Sequence, residues 1–325
     1  MPSFPTEPGL PVVGSIGREL VSSILVLRGG AIGDFILTLP AIRSLREHFP
    51  EARLEIIGYE QIAKLARLAG YADAIRSIEF GPLASFFARD GDLPAELVEY
   101  FANFQQVVSY LSDPEEIFAT NLRRAGVKNL IVCSPKITGR EHAARQLARP
   151  LQSLGIRLED PTVWILPDQP SFVKTNRVAL HPGSGSNRKN WPLDRWLELA
   201  RSLLDQDRKR MLLLVGGEAD GERLAALRAS LPDQRIEVAE SLPLTALAAE
   251  LHQCAAFVGH DSGISHLAAA VGAPSVLLYG PTDPAVWAPQ NPQVRVIQAA
   301  AGIMETITTE EVVSAVNEAL RHSRE

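Results

Sequence analysis

A short apolar segment runs into small and polar residues within residues 257–270. Asp261 and Ser262 are residue types that favour the N-cap of a helix, and Gly263 lets a ligand approach the backbone closely. The N-terminus of a helix carries unpaired N–H groups and about half a positive charge. The segment therefore predicts an anion-binding corner, although an ordinary strand-to-helix turn uses the same residue types.

A second segment with chemistry suited to anions lies at residues 183–189. Ser184 and Ser186 alternate with glycines and offer hydroxyl and N–H donors, and the positive charges of Arg188 and Lys189 follow them. Such a combination of donors and positive charge favours a phosphate ligand. A solvated surface loop is the alternative.

A carboxylate closes a glycine-rich turn at residues 28–34. Arg28 stands where a dinucleotide-binding fingerprint requires its first glycine, and this replacement weakens an NAD-binding interpretation. Asp34 begins the next predicted helix. It can act as a general base, which needs a carboxylate within hydrogen-bonding reach of a hydroxyl. The alternative role is a first-turn carboxylate that interacts with the helix dipole.

Two further segments carry weaker signals. Glu218 and Glu222 follow a predicted strand, at the place where an acidic residue binds ribose hydroxyls in many α/β nucleotide sites. Either of them can equally be a first-turn helix acid. Residues 279–284 close another predicted strand with consecutive turn formers, which is also compatible with a simple tight loop.

A basic cluster lies in the first half of the chain, around a predicted loop and helix start. It consists of Lys136, Arg140, His142 and Arg145. Positive charge in this arrangement suits an anionic ligand. A solvated helix face is the alternative.

The composition is ordinary for a soluble globular protein of two domains: 325 residues, of which 46% are hydrophobic and 22% charged. The net charge of −6 argues against a nucleic-acid partner. Cys133 and Cys254 are far apart in sequence and indicate neither a disulfide framework nor a zinc site. Because no apolar stretch approaches the roughly 18 to 20 residues that span a bilayer, we expect a cytoplasmic protein that can still touch a membrane surface.

The elements that must position these residues follow one alternating pattern. From residue 23, short apolar segments alternate with longer amphipathic ones, as in a parallel sheet covered by helices. The pattern restarts near Arg177 after a Pro-bearing linker, and it predicts a final helix over residues 308–322. Two open α/β domains create a cleft between the carboxyl ends of their sheets. The predicted strands are 24–28, 54–58, 74–78, 106–110, 129–133, 178–181, 211–215, 235–238, 256–258, 275–279 and 294–297.

Four segments, taken in order, resemble glycosyltransferase family 9, the ADP-heptose:lipopolysaccharide heptosyltransferases. They are residues 27–40, 181–192, 259–270 and 279–284, within a resemblance that covers most of residues 23–290. The resemblance implies an α/β fold of two Rossmann-like doubly wound parallel-sheet domains that face each other across a cleft, the GT-B arrangement. We expect a flexible tail at residues 1–22, an acceptor-binding domain at 23–165, a nucleotide-sugar-binding domain at 166–305 and a C-terminal helix at 306–325.

The resemblance also implies an activity, namely inverting transfer of heptose from ADP-heptose to an inner-core lipopolysaccharide sugar without a metal or other cofactor. The implied partners are the nucleotide-sugar donor and a lipid-linked oligosaccharide acceptor, with peripheral contact at the cytoplasmic face of the inner membrane. In this scheme Asp34 is the general base. Lys189 neutralises the departing diphosphate, assisted by Ser184, Ser186, Ser262 and Gly263.

The resemblance implies roles for further residues of the site. Asp261 and His266 are implied to contact the donor sugar, Glu222 the ribose, and the backbone near Leu242 the adenine. The basic residues Arg140, His142 and Arg145 are the implied acceptor-binding set.

The sequence leaves three alternatives to this function open. A nicotinamide-dependent oxidoreductase would explain the turn at residues 28–34, but the second predicted strand ends in Gly58 and Tyr59 without the acidic residue that such enzymes use. A GT-B glycosyltransferase that uses another nucleotide sugar is the second. A non-catalytic nucleotide-sugar binder is the third, and the presence of Asp34 and Lys189 argues against it.

Overall fold

The computed structural model describes residues 21–165 and 175–322 of the chain. Most of the predicted tail, residues 1–20, lies outside the described residues, and so does the later part of the predicted linker, residues 166–174. We refer to the described residues 21–165 as the first lobe and to 175–322 as the second lobe.

The first lobe contains a five-stranded parallel sheet in the order β3-β2-β1-β4-β5. Its central strand β1 is paired on both sides, with Leu27 opposite Ile57 of β2 and Ser109 of β4. Strands that are buried on both faces consist of continuous apolar residues, and this pattern made them predictable from the sequence. The strands are β1 (Ser23–Arg28), β2 (Arg53–Gly58), β3 (Ala74–Ser77), β4 (Gln106–Ser109) and β5 (Leu130–Val132).

The second lobe contains a six-stranded parallel sheet in the order β11-β10-β9-β6-β7-β8. In both sheets the strand order reverses beside the first strand, at β1/β4 and at β6/β9. Ligands of open α/β sheets bind at such switch points. The strands are β6 (Arg177–His181), β7 (Met211–Gly216), β8 (Ile236–Glu240), β9 (Ala256–His260), β10 (Ser275–Tyr279) and β11 (Val294–Gln298). The eleven predicted strands are confirmed, with ends that differ by at most two residues.

Helices cover both faces of each sheet and connect the strands. The first lobe has α1 (Ile32–His48), α2 (Glu60–Leu68), α3 (Ala95–Ala102), α4 (Ile117–Arg124) and α5 (Ala143–Ala148). The second lobe has α6 (Leu193–Gln206), α7 (Gly221–Ala229), α8 (Leu244–Gln253), α9 (Gly263–Ala270), α10 (Pro284–Trp287) and α11 (Thr309–His322). The helix predicted over residues 308–322 is confirmed as α11, which packs against α6, β9 and β10.

The two lobes share one apolar core. Helices α1 and α2 of the first lobe pack against α9 and α8 of the second, and a single cluster of buried side chains continues through both. Two hydrogen bonds join the end of the first lobe to the second. Ile165 N donates to Ala270 O at 2.9 Å, and Asn291 Nδ2 donates to Val163 O at 2.7 Å. Each sheet falls inside one of the two predicted domains, 23–165 and 166–305, and the exact limits of these domains stay a prediction.

No helix within the described ranges is both long enough and apolar enough to cross a lipid bilayer.

Candidate active site

A cleft of about 330 Å³ opens between the lobes, at the carboxyl ends of β1, β6, β9 and β10. Both sheets therefore present their switch-point edges to the same space, where the fold class places ligands. The first lobe contributes Ala31, Gly33, Asp34 and Leu37, and the second contributes Gly185, Lys189, Asp261, Ser262, Gly263, His266, Thr282 and Trp287.

Asp34 lies in the first turn of α1, half-buried, and lines the cleft. A buried arginine fixes this turn from behind. Arg28 Nε donates to Thr38 Oγ1 at 3.0 Å, and its Nη2 donates to the backbone oxygen of Asp34 at 3.0 Å. Burial lowers the pKa of Arg28, and the Asp34 carboxylate is the nearby charge that most opposes this shift. The residue that replaces the first glycine of the dinucleotide fingerprint thus supports the helix start that carries Asp34.

Lys189 of the second lobe faces the same cleft from a 3₁₀ turn, Asn187–Lys189. Its Nζ lies 2.7 Å from Asp261 Oδ2, and Thr282 Oγ1 donates to that same oxygen at 2.8 Å. The Lys189 side chain is 28% exposed and that of Asp261 only 10%. The ammonium group is therefore the accessible member of the pair and can reach a ligand in the cleft.

Ser184 and Ser186 hold the loop before Lys189. Ser184 Oγ lies 2.8 Å from Ser186 O and 2.7 Å from Asn190 Oδ1, and it accepts from Ser186 N at 3.3 Å. The loop can pass so close to its neighbour only because residue 183 is glycine: a Cβ on Gly183 would lie 1.7 Å from Asp220 Oδ1. Neither serine belongs to the cleft lining, so their assistance to phosphate binding stays a prediction.

The histidine that ends β9 fixes this loop from below. His260 Nε2 accepts from Trp191 N at 2.8 Å, and its Nδ1–H donates to Gly183 O at 3.1 Å. Complete burial is the main reason why the pKa of His260 falls to about 3, so the ring is neutral in its structural role. His260 therefore fixes both ends of the loop that carries Lys189.

Two helix N-termini converge at the cleft. Ser262 is the N-cap of α9, as its residue type predicts, and its Oγ accepts from Ser265 N at 3.3 Å. The start of α1 lies so close that a Cβ on Gly263 would be 2.7 Å from Ile32 Cβ and 2.9 Å from Gly33 N. The first N–H groups of a helix have no intrahelical partner, and both helices carry positive potential at this end. The site therefore favours an anion.

His266 lies one turn into α9 and lines the cleft, although it is only 4% exposed. Burial is the main reason why its pKa falls to about 4, against the smaller opposing effect of the Asp261 carboxylate. The imidazole is neutral at physiological pH, and a neutral imidazole has one donor and one acceptor nitrogen. It can therefore hydrogen-bond a sugar hydroxyl.

The predicted nucleoside contacts lie outside the cleft lining. Glu222 is exposed in the first turn of α7, and Leu242 is 39% exposed after β8. Both lie beyond the carboxyl ends of β7 and β8, on the side of β6 away from β9. Their contacts with ribose and adenine stay predictions.

The structure does not gather the predicted acceptor-binding residues into one open basic surface. His142 is nearly buried, its Nε2–H donates to Ala288 O of the second lobe at 3.0 Å, and its Nδ1 accepts from Ala144 N at 3.3 Å. Burial lowers the pKa of His142, so the ring is uncharged. Both of its nitrogens are thus used inside the protein, and its position joins the lobes.

The two arginines of that set differ from each other. Arg145 donates to Leu158 O at 3.1 Å and to Glu159 O at 3.2 Å, which ties the end of the first lobe to α5. Arg140 is exposed. Acceptor binding by these residues stays a prediction, for which Arg140 has the accessible guanidinium.

Four groups at the site were not singled out from the sequence. Thr282 lies in a turn whose residue types did stand out, whereas Leu37 and Trp287 carry no local signal that distinguishes them from core residues. Two of the hydrogen bonds of Arg28, to Thr38 and Asp34, lie within one strand-turn-helix unit, and a third reaches Tyr110 O after β4. In the sequence, Arg28 stood out only because it replaces the first glycine of the dinucleotide fingerprint. Among the described residues, no three His, Cys, Asp or Glu side chains gather in a way that could hold a metal ion.

The model of glycosyltransferase family 9 (heptosyltransferase) matches residues 136–315, just over half of the chain. The chain belongs to this family. Its described fold of two facing Rossmann-like sheets is the GT-B arrangement, as the resemblance implied. Structural similarity supports this: ADP-heptose lipopolysaccharide heptosyltransferase II of Escherichia coli superimposes with a TM-score of 0.73 at 19% identity, covering 94% of this chain and 100% of the other.

Several sequence relatives of this family 9 protein are named lipopolysaccharide heptosyltransferases. Lipopolysaccharide heptosyltransferase 2 of Escherichia coli (strain K12) is 35% identical over 118 residues, which cover 35% of this chain and 33% of that relative. The matched segment thus spans about a third of the relative's length. Lipopolysaccharide heptosyltransferase 3 of the same strain is 25% identical over 318 residues, covering 85% of this chain and 87% of the relative.

Proposed function

We propose that this family 9 protein is an inverting, metal-independent glycosyltransferase that moves heptose from ADP-heptose to an inner-core lipopolysaccharide sugar. One observation carries the proposal. A single cleft holds the carboxylate of Asp34 on the first lobe opposite Lys189, Asp261 and the N-terminus of α9 on the second. Family membership and the names of the relatives support heptose, ADP and lipopolysaccharide as the donor and acceptor classes.

The donor diphosphate binds at the N-terminus of α9. The N–H groups of Ser262 and Gly263 donate to its oxygens, and Lys189 exchanges Asp261 for the phosphate charge. Donors that are fixed before the reaction stabilise the charge that develops on the departing ADP, and the loss of one such donor typically lowers the rate by about 10²- to 10³-fold. Fixed positive charge of this kind replaces the metal ion that other nucleotide-sugar enzymes use.

Asp34 acts as the general base. The acceptor hydroxyl oxygen forms a bond to the anomeric carbon of heptose, its proton passes to Asp34, and the bond to ADP breaks with its electron pair on the phosphate oxygen. Because Asp34 and the diphosphate site belong to opposite lobes, the hydroxyl attacks from the face opposite to the leaving group. Such a single displacement inverts the configuration at the anomeric carbon.

Other residues orient the substrates. We assign donor-sugar hydroxyls to His266 and Asp261, ribose to Glu222, and the adenine to the backbone near Leu242. The acceptor enters past Arg140, which suits its anionic groups. We place the reaction at the cytoplasmic face of the inner membrane, where the enzyme contacts its lipid-linked acceptor peripherally.

Product analysis tests this function. The protein is incubated with ADP-heptose and each of several truncated inner-core acceptors, with and without EDTA, and products are examined by mass spectrometry and by NMR of the anomeric centre. We expect the mass gain of one heptose, inverted configuration and no effect of EDTA. Parallel reactions with UDP-sugars or NAD test the alternatives, and efficient turnover of either one in place of ADP-heptose would contradict the proposed donor.

A further inference from the structure

Tyr279 is the last residue of β10 and is completely buried behind the cleft. Within the described residues its hydroxyl makes no hydrogen bond of normal geometry, although the Asp261 carboxylate is near enough to interact with it. Buried hydroxyl groups in native proteins almost always have a partner, because an unsatisfied one destabilises the folded state. The same space filled by phenylalanine would avoid this cost. We therefore expect the Tyr279 hydroxyl to find a hydrogen-bond partner in another state of the protein.

The Tyr279 hydroxyl lies close to Asp261. After burial itself, the carboxylate of Asp261 is the group that most raises the pKa of the phenol. In the free protein, Asp261 Oδ2 already accepts from Lys189 at 2.7 Å and from Thr282 at 2.8 Å. The phenol is thus a third donor beside a carboxylate that already has two.

Binding of the donor changes the set of groups that pair with Asp261. When Lys189 turns to the diphosphate, the nearly buried carboxylate of Asp261 loses its cation. A buried carboxylate that lacks a charged partner needs further hydrogen bonds to remain ionised and in place. The Tyr279 ring is held at the end of a strand that pairs with β9 and β11, and the register of β10 with β9 places Tyr279 beside the chain that leads from His260 into Asp261.

We propose that Tyr279 is a positioning residue that donates a hydrogen bond to Asp261 when Lys189 leaves it for the donor diphosphate. This inference rests on the proposed function of the cleft. The new bond lowers the cost of separating Lys189 from Asp261, and it keeps the carboxylate oriented toward the donor sugar.

The test compares wild-type protein with Tyr279→Phe, which removes one oxygen atom, by calorimetric titration with ADP and with adenosine. We expect ADP to bind about ten-fold more weakly to the variant, as the loss of a hydrogen bond to a charged group predicts. Adenosine has no diphosphate to displace Lys189, so its affinity stays unchanged. The melting temperature stays equal or rises, because the variant no longer buries an unsatisfied hydroxyl.

Tyr110→Phe is the matched control. Tyr110 is equally buried, but its hydroxyl donates to Leu147 O at 3.1 Å, away from the cleft. This variant should lose stability and keep its ADP affinity, the reverse of the pattern expected for Tyr279→Phe. In a Lys189→Met background, where Asp261 lacks the cation from the start, Tyr279→Phe should weaken ADP binding further by less than two-fold.

Two results separate this inference from the proposed function. If wild-type protein binds ADP and transfers heptose while Tyr279→Phe binds ADP with wild-type affinity, the role of Tyr279 is overturned and the function stands. Equal losses for ADP and adenosine, or an undiminished effect in the Lys189→Met background, overturn that role as well. If wild-type protein binds no nucleoside diphosphate, the proposed function fails and the inference fails with it.

Discussion

At the scale of single residues, Lys189 supplies the accessible positive charge of the cleft. Its ammonium group neutralises Asp261 in the free protein and is the accessible cation for a diphosphate. Its neighbour Arg188 is exposed and does not belong to the cleft lining, although residue type and position in the loop alone did not distinguish the two. The difference follows from the 3₁₀ turn, which directs two consecutive side chains to different sides.

Replacement of Lys189 by methionine should lower the turnover number by about 10²- to 10³-fold, because a fixed donor to the leaving diphosphate is lost. The free energy of unfolding should fall by about 1 to 3 kcal/mol, since Asp261 then lacks its cation. Steady-state kinetics and urea unfolding measure the two effects. Arg188→Met is the matched control, and it should change neither the turnover number nor the free energy of unfolding by much. Similar losses in both variants would contradict a specific role of Lys189 and point to a general effect of positive charge near the cleft.

The elements that form the site meet at the starts of α1 and α9. Glycines at positions 33 and 263 let the two helix N-termini approach to backbone contact, so that one helix from each lobe directs its positive end to the same cleft. This meeting of elements explains why the cleft suits a diphosphate better than either lobe alone.

The Gly263→Ala variant tests that contact. Alanine within a helix normally stabilises by about 0.5 to 1 kcal/mol relative to glycine. Here the added Cβ would lie 2.7 Å from Ile32 Cβ, so we expect the lobes to separate, ADP to bind at least ten-fold more weakly and the melting temperature to fall. Gly81→Ala, where the new Cβ meets nothing within 4 Å, is the control. Wild-type ADP affinity in Gly263→Ala would contradict the packing argument.

Much of the element structure was predictable from the sequence because it depends on local patterns. Strands buried on both faces, such as Ile24–Leu27, form apolar runs bounded by turn residues. The cap at Ser262 and the turn at Asp34 have recognisable residue types. The helix that carries Asp34 nevertheless begins two residues earlier than expected, at Ile32.

The contacts that were not predictable join residues far apart in the chain. His142 looks like part of a basic cluster, but its ring is buried against Ala288 of the other lobe. Tyr279 and Asp261 are brought together by the pairing of β9 with β10, and no spacing rule indicates that they face each other. Burial, which decides whether an ionisable side chain is charged, is a property of the fold and not of the local sequence.

At the scale of the whole molecule, buried histidines tie stability to pH. Burial lowers the pKa of His142, His181, His260 and His266, to about 3 for His260 and about 4 for His266. These rings are neutral in the folded protein, whereas an unfolded chain protonates its histidines near pH 6.5. The unfolded state therefore binds more protons below that pH, and acid favours unfolding.

We therefore expect the stability contributed by these neutral histidines to be fully present above about pH 6.5 and to decline as the pH falls toward 4. Each histidine contributes a slope of up to about 1.4 kcal/mol per pH unit within that window. Urea unfolding at pH 7.5, 6.5, 5.5 and 4.5 measures the decline. A free energy of unfolding that stays constant between pH 7 and 5 would show that the rings are not neutral and buried.

The measurement that tests the central claim most directly is the rate of heptose transfer from ADP-heptose by Asp34→Asn. The matched control is Asp194→Asn, which changes a first-turn carboxylate of α6 outside the cleft lining. We predict that Asp34→Asn retains its fold and ADP affinity but loses about 10²- to 10⁴-fold in rate, as expected for a general base, while Asp194→Asn keeps wild-type activity. Transfer by Asp34→Asn within a few-fold of wild type would contradict the account, because Asp34 would then serve only the dipole of its helix.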